Sequence, residues 1–559
     1  MSSRAGAQIL VDTLVDEGVE HLFGIPGGVV IPIFDVLYDS PLHVVLTRHE
    51  QGAGHAADGF ARASGKVGVC IATSGPGATN LTTAIATANF DSVPLVAITG
   101  QVATHLIGND AFQEADTTGI TRPITKHNFL VRRTDDLGRT LRAAFHIART
   151  GRPGPVVVDV PVDVSKGTSD LPTPKTVDLP GYKPHLKGNT RQIRLAADAI
   201  NRATRPLIYA GGGVVIAEAS DPLGQLARRA HIPVTTTLMG LGAFPEDDPL
   251  SLRMLGMHGT AYANFAMQNA DCIIAVGARF DDRITGKLDE FAPRRETIVH
   301  IDIDPASISK NIPVDIPVVG DARGILRELA KLIEPNDHAQ WWAMINEWRD
   351  KHPLTYDRSG GTLKPQQIIE QIHDATHGDA IITTEVGQNQ MWAAQWYTYT
   401  RPRTFISSGG LGTMGFGFPA AIGAQVACPD RTVIDIAGDG SFQMNIQELS
   451  TAVREKLPVK VALLNNGYLG MVRQWQEMFF DRRYSATVLS DGNPNFVKIA
   501  EAYGARGIVV EHPDQVRPAI DDALATPGPV VLDFHINPEE NVFPMVPAGE
   551  AIDRMRGLA

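Results

Sequence analysis

Short apolar runs recur along the whole chain with helical patterns between them, among them "GVCIAT", "VPLVAITG", "GPVVVDVP", "RPLIYAGGG", "DCIIAVGARF", "TIVHIDID", "DAIITTEVG", "RTVIDIAGDG" and "VKVALLNNG". A strand that is apolar at successive positions has to be covered on both faces, and strands separated by helices pair in parallel. The fold class is therefore α/β, with parallel sheets flanked by helices. At 559 residues the chain is too long for one hydrophobic core. Pro-rich, weakly periodic stretches near 165–190 and 335–365 divide it into three expected domains, 1–165, 190–335 and 365–559.

Two segments repeat a layout of strand, small-residue turn, helix, proline and strand: "GVCIATSGPGATNLTTAIATANFDSVPLVAITG" and "TVIDIAGDGSFQMNIQELSTAVREKLPVKVALLNNG". Sixteen residues lie between Gly77 and Pro94 and seventeen between Gly440 and Pro458. Convergence of common βαβ units and internal duplication both produce such a likeness, and the matched spacing favours duplication. The first and third domains are then expected to resemble each other. Pro76 and Asp439 fall in equivalent turns at the carboxyl ends of two sheets, where doubly wound folds place ligands.

A net charge of -12 excludes a broad nucleic-acid-binding face and favours small anions as partners. Cys70, Cys272 and Cys428 are far apart and lie in or beside apolar runs, the pattern of buried thiols in a reducing compartment. No leader and no apolar run of membrane-spanning length is present, so a cytoplasmic location away from membranes is expected.

A lone "GDG" is weak, but Asp439 ends one strand and Asn466 the next, so one crossover brings both to the same sheet edge. Aspartate and amide oxygens with a nearby backbone carbonyl are hard ligands, suited to a magnesium ion that also takes phosphate oxygens.

"GDGSFQMNIQELSTAVREKLPVKVALLNN" resembles the thiamin diphosphate motif of the decarboxylase superfamily. Within that superfamily nearly the whole chain resembles the catalytic subunits of the acetohydroxyacid (acetolactate) synthase family. The segments that carry the likeness include "FGIPGG", "RHEQGAGHAADGFAR", "TSGPGATNL", "GQVATHLIGNDAFQEAD", "GARFDDRITGK", "SGGLGTMGFGFPAAIGA", "NNGYLGMVRQWQ" and "MVPAG". The resemblance implies that Asp439, Asn466 and the carbonyl of Tyr468 bind Mg2+, which clamps the diphosphate. It implies further cofactor contacts through Val386, Gly387, Gln388, Asn389, Gly438, Gly440, Ser441 and Met471. Asn389 stands where the family has histidine, and Val162 where many relatives have lysine.

Glu50 is implied as the catalytic acid that shares a proton with the aminopyrimidine ring, and Met414 as the residue wedged between the cofactor's two rings. Read alone, Glu50 is a solvated strand end and Met414 core packing. The family decarboxylates pyruvate through a thiamin diphosphate ylid and enamine, then joins the two-carbon unit to pyruvate or 2-ketobutyrate, giving 2-acetolactate or 2-aceto-2-hydroxybutyrate. Gly28, Val29, Phe112, Gln113, Met471 and Trp475 are implied to line the acceptor pocket, Gln113 with a catalytic part. A spacing of four also makes Met471 and Trp475 an ordinary packed pair on a helix.

The middle third resembles the family's FAD-binding domain. The match rests on Gly211, Gly212 and Gly213, on Thr237 and Leu238, and on Leu255, Gly256, Met257 and His258. It continues through Gly277, Ala278, Arg279, Asp281 and Arg283 to Asp302, Ile303 and Asp321, with Arg152 from the first domain. The resemblance also implies a homodimer or homotetramer and a small regulatory subunit. Retained Glu50 argues against a glyoxylate carboligase-like enzyme, and a pyruvate oxidase-like flavoenzyme is the other alternative.

Overall fold

The structure, a computed structural model, describes residues 3–558. Three six-stranded sheets, parallel throughout, follow one another along the chain. The first runs His43–Leu46, His21–Gly24, Gly68–Ala72, Leu95–Gln101, Pro155–Pro161, His127–Leu130 across its width. The third runs Phe405–Ile406, Ile381–Thr384, Val433–Gly438, Lys460–Asn465, Val530–His535, Arg506–Val510. Numbered along the chain within each sheet, both have the order 2-1-3-4-6-5, so the first and third parts are built alike. The central sheet runs Ser251–Met254, Val234–Thr236, Pro206–Ala210, Cys272–Val276, Thr297–Asp302, Ile316–Val319, which is the order 3-2-1-4-5-6 of dinucleotide-binding folds.

The inner strands match the apolar runs because helices cover both faces: every residue of Gly68–Ala72, Leu95–Gln101 and Cys272–Val276 is buried. Cys70 and Cys272 are buried free thiols, and Cys428 is free and half-buried. The stretch near 335–365 is not all linker. It contains the helix Ala339–Lys351, whose buried Trp341 donates its indole N–H to the Pro206 carbonyl at 3.0 Å. Among the described residues no helix is long and apolar enough to cross a membrane.

The first and third parts pack through two helices, Glu50–Ser64 and Gly417–Ala427. A Cβ added to Gly59 would stand 2.2 Å from the Ala420 carbonyl oxygen, and one on Gly423 only 1.8 Å from that of Ala56. Only glycine permits such an approach. Beside the crossing, Arg62 bonds Asp58 at 2.6 Å, Asp91 at 3.0 Å and the Ser407 carbonyl at 2.8 Å. Asp91 in turn accepts the Gly409 and Gly410 amides at 3.1 and 2.8 Å.

Two buried acids lie under the start of the second helix. Glu385 accepts the amides of Gly415 at 2.7 Å and Phe418 at 3.0 Å, while Asp435 accepts the Thr383 hydroxyl at 3.0 Å. Burial raises both acids, Glu385 to about 7, and the Glu385 charge raises Asp435 further.

Two outcomes are expected. Gly423→Val forces the helices apart and lowers stability by about 1–3 kcal/mol, read as a lower thermal midpoint and faster proteolysis between the first and third parts. For the acids, the folded chain keeps a proton that the unfolded chain has released between the ordinary value of 4.5 and about 7. Stability contributed here therefore falls as pH rises through that window. Asp435→Asn removes the repulsion, so its thermal midpoint falls less than the wild type's between pH 5 and pH 8; an equal fall refutes the assignment.

Candidate cofactor and active site

Three turns of the third sheet meet at its carboxyl edge, where the strand order switches between Ile381–Thr384 and Val433–Gly438. The first turn ends at Gly387 and opens the helix Gln388–Trp396; the second opens the short helix Asp439–Phe442 directly on Asp439. The third, from Asn466 to Leu469, precedes the helix Gly470–Phe479. Asn466 donates to the Gln388 side-chain oxygen at 3.2 Å, and its own oxygen accepts the Tyr468 amide at 3.0 Å. Gln388 is held by Gln474 at 2.9 Å and by the Glu540 carbonyl at 3.0 Å.

Asp439 is almost fully buried, and burial pushes its carboxyl up to about 6 against the 2.6 Å hydrogen bond from Asn493. One carboxylate, one amide oxygen and one carbonyl form a hard-oxygen donor set that fits magnesium. Among the described residues no group of three or more His, Cys, Asp or Glu offers a competing metal site. Gly440 leaves its space to neighbours: a Cβ there would stand 2.8 Å from Leu469, 3.0 Å from Leu489 and 3.9 Å from the Met414 methyl. Met414 is thus brought to the Asp439 turn, and its loop is pinned by Glu385 and by Asn445, which donates to the Gly415 carbonyl at 2.6 Å.

Asn389 behaves differently from the expected diphosphate donor. Its amide nitrogen donates to the carbonyls of Glu385 at 3.0 Å and Ile436 at 2.7 Å. Both of its hydrogens are used within the protein. Ser441 donates back to the Gly438 carbonyl at 3.2 Å.

The first sheet gathers a second group at its own carboxyl edge. Glu50 begins the helix Glu50–Ser64 and accepts the Asn80 amide at 2.9 Å. A Cβ on Gly77 would stand 3.3 Å from the Glu50 carboxyl, so the turn approaches it closely. The Thr73 and Ser74 hydroxyls beside this turn are buried without a partner, which fits a cradle for a polar ring. Gln113 takes φ 59° and its backbone presses on Gly75, where a Cβ would meet the Gln113 oxygen at 2.8 Å. Val29 packs at Gly100. Phe112 is 88% exposed and lines no enclosed pocket within one chain. Met471 packs on the third domain's core, and Trp475, four residues on, lies under the Arg283 guanidinium, 5.9 Å from its ring centre. Among the described residues no hydrogen bond joins Glu50, Phe112 or Gln113 to Gln388, Asp439 or Asn466.

In the central domain the switch point falls between Pro206–Ala210 and Cys272–Val276. The Gly211 amide donates to the Val276 carbonyl at 2.9 Å and that of Gly213 to Gly277 at 3.1 Å. A Cβ on Gly213 would stand 2.6 Å from the Gly277 Cα, and Gly277 takes φ 57°. The buried Thr236 hydroxyl and His300 Nδ1 have no partner at the same edge. This glycine cradle at a dinucleotide-type switch point fits FAD. Arg152 reaches in to Asp304 at 3.2 Å, and Arg279 donates to the Phe90 carbonyl at 3.2 Å. Asp321 caps the helix Ala322–Leu332, Leu255 and Ala278 belong to the core, and His258 turns Nδ1 toward the Pro544 carbonyl at 3.4 Å.

Sequence reasoning missed Asn80, Glu385, Asn445, Glu448, Gln474 and Asn493. Asn80, Glu385, Asn445, Glu448 and Gln474 all stand inside quoted segments and Asn493 does not; for Asn80 the short distance to the Gly77 turn also carried a signal, whereas the others reach their partners only through the fold.

Three family models match the chain. "Thiamine pyrophosphate enzyme, N-terminal TPP binding domain" covers residues 4–120, the "central domain" 193–329 and the "C-terminal TPP binding domain" 385–534. The Mycobacterium tuberculosis "Acetolactate synthase large subunit IlvB1" is 52% identical over 99% of this chain and 91% of its own. The Methanocaldococcus jannaschii "Probable acetolactate synthase large subunit" is 51% identical over 97% and 94%, and the Haemophilus influenzae "Acetolactate synthase large subunit" 47% over 99% and 98%. With thiamine pyrophosphate (thiamin diphosphate) models at both ends and relatives of this identity along its full length, the chain belongs to the acetolactate synthase large-subunit family of thiamin diphosphate enzymes.

Proposed function

We propose that the protein is an acetolactate synthase that decarboxylates pyruvate and condenses the two-carbon unit with pyruvate or 2-ketobutyrate in branched-chain amino-acid synthesis. The observation that carries this reading is the full-length likeness to acetolactate synthase large subunits, with the Glu50 and Asp439 turns both intact. When bound, thiamin diphosphate supplies a nucleophilic carbon and the electron sink that lets a 2-keto acid lose carbon dioxide.

Asp439, Asn466 and the Tyr468 carbonyl would hold magnesium, and the amides of the turn Val386–Asn389 would help bind the diphosphate. Glu50, fixed by Asn80, holds a proton at the aminopyrimidine ring nitrogen. Met414, whose methyl stands near Gly440, would be the residue wedged between the cofactor's two rings. Phe112, Gln113, Met471 and Trp475 exclude water around the acceptor.

Because Phe112 stands open on one chain and, among the described residues, no hydrogen bond joins Glu50 to Asp439 or Asn466, a second copy completes the site, as homodimer or homotetramer. The relatives are named large subunits, which supports a smaller partner chain. The central cradle would hold FAD, and the free buried thiols support a cytoplasmic setting.

Purified protein supplied with thiamin diphosphate, Mg2+, FAD and pyruvate forms acetolactate, and 2-ketobutyrate diverts the product; no acetolactate sinks the reading. Glu50→Gln loses roughly 10²–10⁴-fold in turnover with its thermal midpoint retained. Gly213→Val obstructs the central cradle, so the protein loses the bound flavin absorbance that the wild type retains after desalting. Equal flavin retention in the two proteins would place FAD elsewhere.

A further inference from the structure

Glu448 lies at the end of the 3₁₀ segment Gln443–Glu448, which follows the Asp439 turn in the third domain, yet its side chain serves the first. One carboxyl oxygen accepts the amides of Arg48 and His49, both at 3.0 Å, and the other accepts the Arg48 amide at 3.2 Å and the Thr451 hydroxyl at 2.6 Å. A Cβ on Gly52 would stand 2.5 Å from the first of these oxygens, so glycine there leaves room for the carboxylate. The side chain is fully buried, and burial raises its carboxyl against these hydrogen bonds.

The contact bears on one residue above all. Arg48 and His49 immediately precede Glu50, and the His49 ring accepts the Gln51 amide at 3.1 Å on the other side. The backbone is therefore held before and after Glu50, while Asn80 holds its carboxyl. A carboxylate from another domain is not needed merely to start this helix, because His49 already caps it. What Glu448 adds is a second hold on the two amides immediately before Glu50, anchored in the third domain of the same chain.

We propose that Glu448 is a positioning residue for Glu50: by gripping the Arg48 and His49 amides from the third domain of the same chain it fixes the backbone that carries the Glu50 carboxyl toward an aminopyrimidine ring held by the second copy. The proposal rests on the reading of Glu50 given above. A misplacement on the order of 1 Å at a proton-sharing group costs about 10²-fold in rate.

The test uses the full chain loaded with thiamin diphosphate and Mg2+. It measures hydrogen–deuterium exchange at the thiazolium carbon by acid quench and proton NMR, with cofactor affinity from a fluorescence titration and the thermal midpoint beside it. Glu448→Gln removes the charge from the oxygen that accepts both amides and sets an NH2 against the Arg48 amide where the second carboxyl oxygen accepts it at 3.2 Å. It is expected to slow exchange about 10- to 100-fold while cofactor affinity and midpoint stay near wild type. Thr451→Ala keeps the carboxylate but removes one donor, and slows exchange less, in the same sense. Exchange at the wild-type rate in Glu448→Gln overturns the proposal, as does a joint loss of exchange, affinity and midpoint. If Glu448→Gln does not fold, wild-type exchange in Thr451→Ala overturns it. A wild type that exchanges no faster than free cofactor overturns the Glu50 reading itself, and this proposal with it.

Discussion

The near contact of two helix backbones, Glu50–Ser64 against Gly417–Ala427, governs the rest of the arrangement. The Ala56 carbonyl occupies the space that any side chain at position 423 would need, and the Ala420 carbonyl does the same at position 59. Glu50 is the first residue of one helix, and Met414 stands three positions before the other. Their separation is therefore set by domain packing, since each helix starts at the carboxyl edge of its own sheet. Arg62 reinforces the crossing from the side with two buried acids: Asp58 is paired with it through both carboxyl oxygens, and Asp91 also accepts the Gly409 and Gly410 amides, so neither charge is left alone.

Burial on two faces decides how much of this is legible in the sequence. Inner strands such as Val433–Gly438 and Lys460–Asn465 read plainly, because both faces are covered and almost every position is apolar or small. Edge strands do not: His127–Leu130 has no fully buried residue, and Arg506–Val510 has one. Ala339–Lys351 escaped for a related reason, since only Trp341 and Ile345 of its thirteen residues are buried, too few to set a helical period.

The candidate site divides in the same way. The Asp439 and Asn466 turns were legible because one crossover separates them and a parallel sheet fixes the outcome. Glu448 and His49 are 399 residues apart, and nothing local distinguishes a glutamate that caps another domain's helix from one that faces water. Glu385 is the same case at shorter range: an acid at a strand end reads as solvated, and only the loop laid over it by Gly415 and Phe418 makes it a buried acceptor.

Asn389, where the resemblance leads to the expectation of histidine, turns its side chain into the sheet. Its amide nitrogen ties the ends of two strands through Glu385 and Ile436, and its oxygen faces the turns of Gly387 and Gly438, where added Cβ atoms would stand 2.8 and 3.3 Å away. Turning the amide over would free a donor for a phosphate oxygen but set the amide oxygen against two carbonyl oxygens, so the orientation is fixed by the sheet. The Asn389 amide thus serves as a tie between strands. A diphosphate bound at this edge would have to be held by backbone amides and by a metal at Asp439 without the Asn389 amide, which would make the buried Asp439 carboxylate the more consequential group.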